Sequence, residues 1–295
     1  METFVPAETA HVVESIKLPS TESIFGSTAG MREIQQEIER ARHDDLPVLI
    51  EGESGTGKEV IGRFLHMYSA RRDGPFLKFN CSAASTKLLE GEMFGYEKGA
   101  SRDVPETTSG AIGLASGGLL FLDEIDDMEV SLQEKLMRTL ISGHYRRIGG
   151  REDLAVTTRF VCSTSINLEA GLRSPNFQGE LLGCFAHRVR LLPLRERKQD
   201  IPQLCDYLLE KFARDFGRPV PHLSSEALDV FLQWKWPGNV RELENWIARI
   251  VIFGAEEVVG LEFSRQLVAG REPAMRYHRT AHTSLGRARG LRRRR

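Results

Sequence analysis

Residues 52–59 read Gly-Glu-Ser-Gly-Thr-Gly-Lys-Glu and follow directly on the apolar run Leu46-Pro47-Val48-Leu49-Ile50. This composition and spacing suit a bound triphosphate. Gly52, Gly55 and Gly57 let main-chain N–H groups approach phosphate oxygens. A helix starting at the lysine adds partial positive charge at its N-terminus, and Lys58 supplies a full one. Glu53, Ser54 and Thr56 fill the rest of the turn. The general pattern places Ser or Thr after the lysine to reach a metal, whereas this chain has Glu59. A second apolar run, Leu119-Leu120-Phe121-Leu122, ends in Asp123-Glu124. Carboxylates at the tip of a neighbouring strand can hold Mg2+ on the phosphates and poise a water for attack. The chemistry to expect is nucleotide binding, and what that binding drives is the question the rest of the chain must answer.

The elements that must position these groups follow from periodicity. Met31, Ile34 and Ile38 share one face of a helix over residues 31–41. A strand, the glycine turn and a helix over residues 58–68 come next. Residues 75–79 read as a strand with Asn80 at its tip. Glycine-rich sequence covers Gly91 to Gly118, followed by the acidic-tipped strand and a helix over residues 130–140. Strands are expected over 158–163 and 189–192. Strands alternating with helices imply a parallel sheet covered on both faces. After Pro193 the pattern is helical only, over 201–216, 225–234 and 239–253, punctuated by Pro219, Pro221, Pro237 and Gly238. The expected architecture is an α/β nucleotide-binding domain over residues 23–193 and a small helical domain over 194–262. A loose leader precedes them (1–22) and a basic, disordered tail follows (263–295).

Composition sets further bounds. The chain is 41% hydrophobic and 27% charged, with net charge −1. No apolar stretch approaches the ~18 residues that cross a bilayer, and the N-terminus lacks a signal pattern. Cys81, Cys162, Cys184 and Cys205 are scattered without a CxxC pair, which fits reduced thiols in a cytoplasmic protein and argues against zinc. Nine arginines and one glutamate lie between Arg271 and Arg295, leaving 31 basic and 40 acidic residues for the rest of the chain. Two readings of that end stay open: a salt-sensitive, sequence-independent hold on nucleic-acid phosphates, or a solvated terminus.

Taken together, these segments resemble the central AAA+ domain of the sigma-54-dependent bacterial transcription activators, from about Ile24 to Leu261. Gly52–Glu59 is similar to that family's P-loop, which carries glutamate after the lysine. The segment 92–100, Glu-Met-Phe-Gly-Tyr-Glu-Lys-Gly-Ala, resembles the start of its polymerase-contacting loop. Gly117–Glu124 resembles its acidic strand, Leu194–Arg197 the entry to its helical lid, and Trp236–Leu243 the lid's nucleotide-sensing helix. The resemblance implies ATP and Mg2+ as cofactors and a ring of like or related subunits. It also implies that Lys58 neutralises the β- and γ-phosphates, Asp123 holds the metal and Glu124 orients the attacking water. Asn80 would hold Glu124 at rest, and Arg241 would reach from the lid to the nucleotide.

Three departures from the family bear on activity. Its loop continues Gly-Ala-Phe-Thr-Gly-Ala, where this chain has Gly99-Ala100-Ser101-Arg102-Asp103-Val104, so the contact with sigma-54 polymerase is in doubt. Its arginine-finger segment, Phe-Arg-x-Asp-Leu-x-x-Arg-Leu, is here Phe177 to Phe185, with Gln178 and Cys184 at the arginine positions; His187-Arg188 is a displaced substitute to consider. Its sensor strand ends Thr-Asn, here Thr164-Ser165. Binding residues are kept while turnover and output residues are eroded, so whether the chain is an active ATPase stays open. One expectation is an ATP-binding module of a sigma-54-dependent regulator with weakened hydrolysis and remodelling. The alternative is a regulatory or decoy subunit that does not contact sigma-54. The family also carries sensory and helix-turn-helix DNA-reading domains, and neither is legible here, as in a stand-alone module, a truncated product or a fragment.

Overall fold

The computed structural model describes residues 10–12, 18–82, 85–101, 104–166, 177–253 and 258–259. The basic tail, with its nucleic-acid reading, lies outside them, as do Arg102 and Asp103 of the altered loop.

The centre is a six-stranded sheet. Its strands are β1 (Ala10–Val12), β2 (Val48–Glu51), β3 (Phe76–Asn80), β4 (Leu119–Asp123), β7 (Arg159–Thr164) and β8 (His187–Arg190), in the spatial order β1-β3-β4-β7-β2-β8. All pairings are parallel except β1 on β3. The antiparallel β1 corrects the expectation of a loose leader, since three of its residues are docked on the sheet edge. A three-residue strand is too short to show a period, which is why the sequence concealed it.

Strand residues alternate between two cores, as a pleat with both faces covered requires. Leu49, Leu77, Phe79, Leu120, Leu122, Phe160 and Cys162 point to one face. There they meet α4 (Thr86–Phe94), α5 (Gly110–Leu114) and α6 (Val130–Ser142). Val48, Ile50, Phe76, Leu119, Phe121 and Val161 point to the other, against α1 (Thr21–Phe25), α2 (Ala29–Ala41) and α3 (Lys58–Met67). Gly62 lets α3 lie close on the sheet, because a Cβ there would stand 2.5 Å from the Phe121 ring.

The glycine-rich stretch proves partly helical. Leu89, Met93 and Phe94 form the buried face of α4, and Gly91 sits in its middle because the Tyr96 ring lies against it. A short hairpin, β5 (His144–Tyr145) with β6 (Leu154–Ala155), was also not expected. The strand expected over 189–192 lies two residues earlier, since β8 is an edge strand that exposes Arg188 and Arg190 and buries Val189.

The C-terminal helices α7 (Ile201–Phe216), α8 (Ser225–Gln233) and α9 (Asn239–Phe253) share a separate core. It runs from Leu194 through Phe231 to Trp236 and Trp246, whose rings lie 5.1 Å apart in an edge-on arrangement. In this lid, β9 (His222–Leu223) pairs with β10 (Val258–Val259). Among the described residues no helix is long and apolar enough to cross a membrane.

Candidate nucleotide-binding site

Register places the chemical groups level with one another. Asn80 lies opposite Asp123, and Glu51 opposite Thr164, so the carboxyl ends of β3, β4, β7 and β2 form one rim. In open α/β sheets that rim is where ligands bind. The turn between β2 and α3 rises from it. Gly52, Gly55 and Gly57 have φ of 157°, 79° and 102°, the last two in a region that disfavours any side chain. The amides of Gly55, Gly57, Lys58 and Glu59 donate to no acceptor among the described residues. They are the unsatisfied donors of a helix N-terminus and its approach, which is what an anion needs.

Lys58 is buried, and its Nζ lies 2.8 Å from the Gly52 carbonyl, 2.8 Å from Ser165 Oγ and 3.1 Å from Glu124 Oε1. Ser165 Oγ in turn donates to Glu124 Oε1 at 2.7 Å. A hydroxyl therefore fastens the carboxylate beside the ammonium. Glu124 Oε2 is buried with no partner among the described residues. The backbone of Glu124 is left-handed (φ 57°), held by its N–H donating to Ser163 Oγ at 3.1 Å. The Ser163 hydroxyl donates to Asp123 Oδ1 at 2.6 Å.

The expected Asn80–Glu124 contact is not made. Asn80 Oδ1 instead accepts from the N–H and hydroxyl of Ser82 at 3.0 and 2.8 Å. An Asx turn two residues on is the cheapest partner for an asparagine at a strand end, and Ser165 takes the role on Glu124 that the resemblance gave to Asn80.

Glu59 turns away from the phosphate side. Its Oε1 accepts from Arg63 at 2.5 Å, and its Oε2 from Lys78 Nζ at 2.8 Å. Lys78 Nζ also lies 3.0 Å from Asp123 Oδ2. Burial disfavours the charge on Glu59, but hydrogen bonds from Lys78 and Arg63 outweigh it and hold the carboxyl below the ordinary range. Burial likewise opposes the charge on Lys78, and hydrogen bonds to Glu59 and Asp123 raise its pKa above that of a free lysine. Sequence reading missed Lys78, yet a signal existed: it lies two residues before Asn80 on a strand of period two, facing the helix that carries Glu59.

The lid grips the glycine turn. Asn239, fully buried with φ 53°, donates from Nδ2 to Glu53 Oε2 at 3.2 Å and to the Ser54 carbonyl at 3.0 Å. Its Oδ1 accepts from the Leu194 N–H at 2.9 Å. Arg195 forks onto both oxygens of Glu53 at 2.8 and 2.6 Å. That hydrogen-bonded pairing is the main reason the Glu53 pKa falls to about 2. Buried Arg197 reaches the Thr56 carbonyl at 3.1 Å. Arg241 Nη1 donates to Ser54 Oγ at 3.1 Å, and its N–H to the Gly55 carbonyl at 3.2 Å. A Cβ on Gly55 would stand 2.3 Å from the Gly238 carbonyl, so only glycine fits beneath the lid. The structure thus brings Gly52 to Glu59, Asp123, Glu124 and Arg241 together around one turn; Asn80 is on the rim but engaged locally.

The altered segments are also placed. Gln178 donates from Nε2 to Glu134 Oε1 at 3.2 Å, and Cys184 packs against the sheet core. His187 pairs with Asp44 at 2.8 Å and Arg188 with Glu51 at 3.2 Å, on the edge strand. The loop after Glu97 is laced down: the Lys98 N–H donates to Thr107 Oγ1 at 3.2 Å, the Gly99 N–H donates to the Val104 carbonyl at 3.0 Å, and Val104 is buried.

The Sigma-54 interaction domain family matches residues 24–193, and the AAA+ ATPase lid domain family matches residues 195–278. The DNA-binding transcriptional regulator NtrC of Azospirillum brasilense is 38% identical over 272 residues, covering 92% of this chain and 55% of its own length. The DNA-binding transcriptional activator HyfR of Escherichia coli (strain K12) is 41% identical over 232 residues, covering 78% of this chain and 34% of its own. The crystal structure of NtrX from Brucella abortus in complex with ATP matches with a TM-score of 0.75 at 29% identity, over 86% of this chain and 57% of that one. The chain spans about half the length of the curated relatives it matches, or less. A P-loop turn on a parallel sheet, an acidic strand tip and a lid that closes on the turn thus coincide with two adjoining family matches, and the chain belongs to the sigma-54 activator family, as its central AAA+ domain with the lid.

Proposed function

We propose that the chain binds ATP between the glycine turn and the lid and serves as the AAA+ module of a sigma-54-dependent transcriptional regulator, with turnover and polymerase remodelling reduced. The observation that carries nucleotide binding is the set of amides of Gly55, Gly57, Lys58 and Glu59, without acceptors among the described residues, with Lys58 beside the Glu124 carboxylate. NtrX, a relative of similar fold, has been crystallised with ADP and with ATP, which supports the same use here. Mg2+ suits Asp123 as its single carboxylate, since that ion is usually held by one or two carboxylates, phosphate oxygens and water. Each Asp123 oxygen has one hydrogen-bond partner and one lone pair left.

Within this reading Lys58 leaves Glu124 for the phosphates. Glu124 Oε2, having no other partner, orients the water. Arg241 reports the nucleotide to the lid. The metal supplies charge neutralisation on the phosphates when bound. Lys58→Ala abolishes nucleotide binding, and titration calorimetry with ATP and Mg2+ on the folded chain checks it; retained affinity overturns the assignment.

Reduced turnover follows from the finger segment. Gln178 is turned to Glu134 and Cys184 to the core, so neither offers a cation to a neighbouring subunit. Arginine fingers supply ~10³-fold or more in phosphoryl transfer. The chain then works as a regulatory or decoy subunit in rings of intact relatives, or turns over slowly in its own. Gln178→Arg with Cys184→Arg raises hydrolysis at least ~10-fold in an assembled ring. Turnover measured against protein concentration detects this, because a site completed by a neighbour needs assembly. No gain in a ring verified by light scattering removes the finger argument.

A further inference from the structure

Glu59 and Asp123 both reach one ammonium, with Lys78 Nζ 2.8 Å from Glu59 Oε2 and 3.0 Å from Asp123 Oδ2. The general P-loop has a neutral hydroxyl in place of Glu59, which can ligate a metal through a lone pair but carries no charge to pair with an ammonium. Here the residue after Lys58 is an acid, and with the strand-tip acid it forms a two-carboxylate seat already filled by a side chain. Lys78 is anchored on β3, only 27% exposed, and its strand neighbour Phe121 is locked under α3 by Gly62. The ammonium is thus tethered at the carboxylate to which a divalent ion would go.

We propose that Lys78 is a built-in cation that shares Asp123 with the metal, so that this chain binds nucleotide with little dependence on divalent metal. The inference rests on the nucleotide-binding reading above.

Charge counting supports it. Arg63, Lys78 and Lys58 face Glu59, Asp123 and Glu124 in one contiguous group of three cations and three anions. These paired groups are neutral before any ion arrives, with Asp126 and Asp127 lying beyond them near Glu124. Without Lys78 the same group carries one unneutralised carboxylate beside the phosphate path. A metal would then be needed to cancel it.

The measurement is the affinity of a fluorescent ATP analogue, read by anisotropy, in Mg2+ and in EDTA. For the wild-type chain the two dissociation constants agree within ~5-fold. In Lys78→Met the ratio between them grows by a further ~10-fold, the size expected when one charge near the phosphates is lost in a partly buried site. Lys78→Arg, which keeps the charge, stays near the wild-type ratio.

Glu59→Gln gives an independent arm should Lys78→Met fold poorly. It removes one anion and leaves Lys78 on Asp123, so the ratio falls below wild type. A ratio unchanged in Lys78→Met or in Glu59→Gln, or a wild-type chain that binds only with Mg2+, overturns the proposal while leaving nucleotide binding intact. No binding by the wild-type chain in either buffer defeats the nucleotide reading itself, and this inference with it.

Discussion

At the scale of single residues, the telling group is the Ser165 hydroxyl. It stands between Lys58 and Glu124 and fastens the two together. An anion that takes Lys58 must first break that arrangement. A γ-phosphate competes with Glu124 for the ammonium more directly than a diphosphate does, so the clamp disfavours ATP relative to ADP. Hydrogen bonds to charged groups are worth ~1.5–3 kcal/mol when deeply buried, and Glu124 is 23% exposed, so the lower end applies. Ser165→Ala raises affinity for a non-hydrolysable ATP analogue relative to ADP by ~10-fold. Paired calorimetric titrations measure the ratio, and a parallel change in both affinities counts against a clamp. Asn80 teaches the complementary lesson. Its place at a strand tip beside Asp123 was legible, but its partner was not, because an Asx turn to Ser82 satisfies the amide without crossing the cleft.

At the scale of elements, α9 begins against the glycine turn, with Asn239 on Glu53 and Ser54. Asn239 is the first residue of that helix, buried and left-handed; its Nδ2 joins the lid to the turn at Glu53 and Ser54, and its Oδ1 holds the Leu194 amide at the lid's entry. Asparagine tolerates that backbone better than most residues. Asn239→Ala loses these bonds and strands the Leu194 amide, at a cost of ~2–4 kcal/mol. Differential scanning calorimetry should then show the lid melting ahead of the sheet domain; a single shifted transition would mean the joint is held elsewhere. Asn239 was legible as part of a motif and not as a joint, since its partners Leu194 and Ser54 are 45 and 185 residues away. Local periodicity carried most of the fold. The strands bearing Ile50, Phe121 and Val161 read as short runs buried on both faces, and the helices from Ile201, Ser225 and Asn239 as patterns near four residues. What failed was short or glycine-diluted. Ala10–Val12 has no period to read, and in α4 Gly91 interrupts the buried face because Tyr96 needs the space.

At the scale of the whole molecule, the sheet domain and the lid meet through a small polar seam that is sensitive to acid. Glu53 is its titratable centre. Its pKa falls to about 2 in the fold, from an ordinary 4.5, chiefly through the hydrogen bond from Arg195. A carboxyl with a depressed folded pKa contributes its full stabilisation above the unfolded value and loses it as pH falls toward the folded one. Glu53 is 44% exposed, so solvent screening limits the Arg195 pair to ~1 kcal/mol or less. Wild type and Glu53→Gln should therefore differ in melting temperature by a few degrees above pH 4.5, and the gap should close between pH 4.5 and about 2. Melts recorded across that range by circular dichroism test it; a constant gap would assign the difference to something other than ionisation. The seam has one more consequence. The carbonyls of Ser54, Gly55 and Thr56 are each held by a lid residue. Whatever fills the cradle therefore acts on a turn whose carbonyls the lid already holds, so under the proposed function occupancy would reach the lid directly through these three bonds.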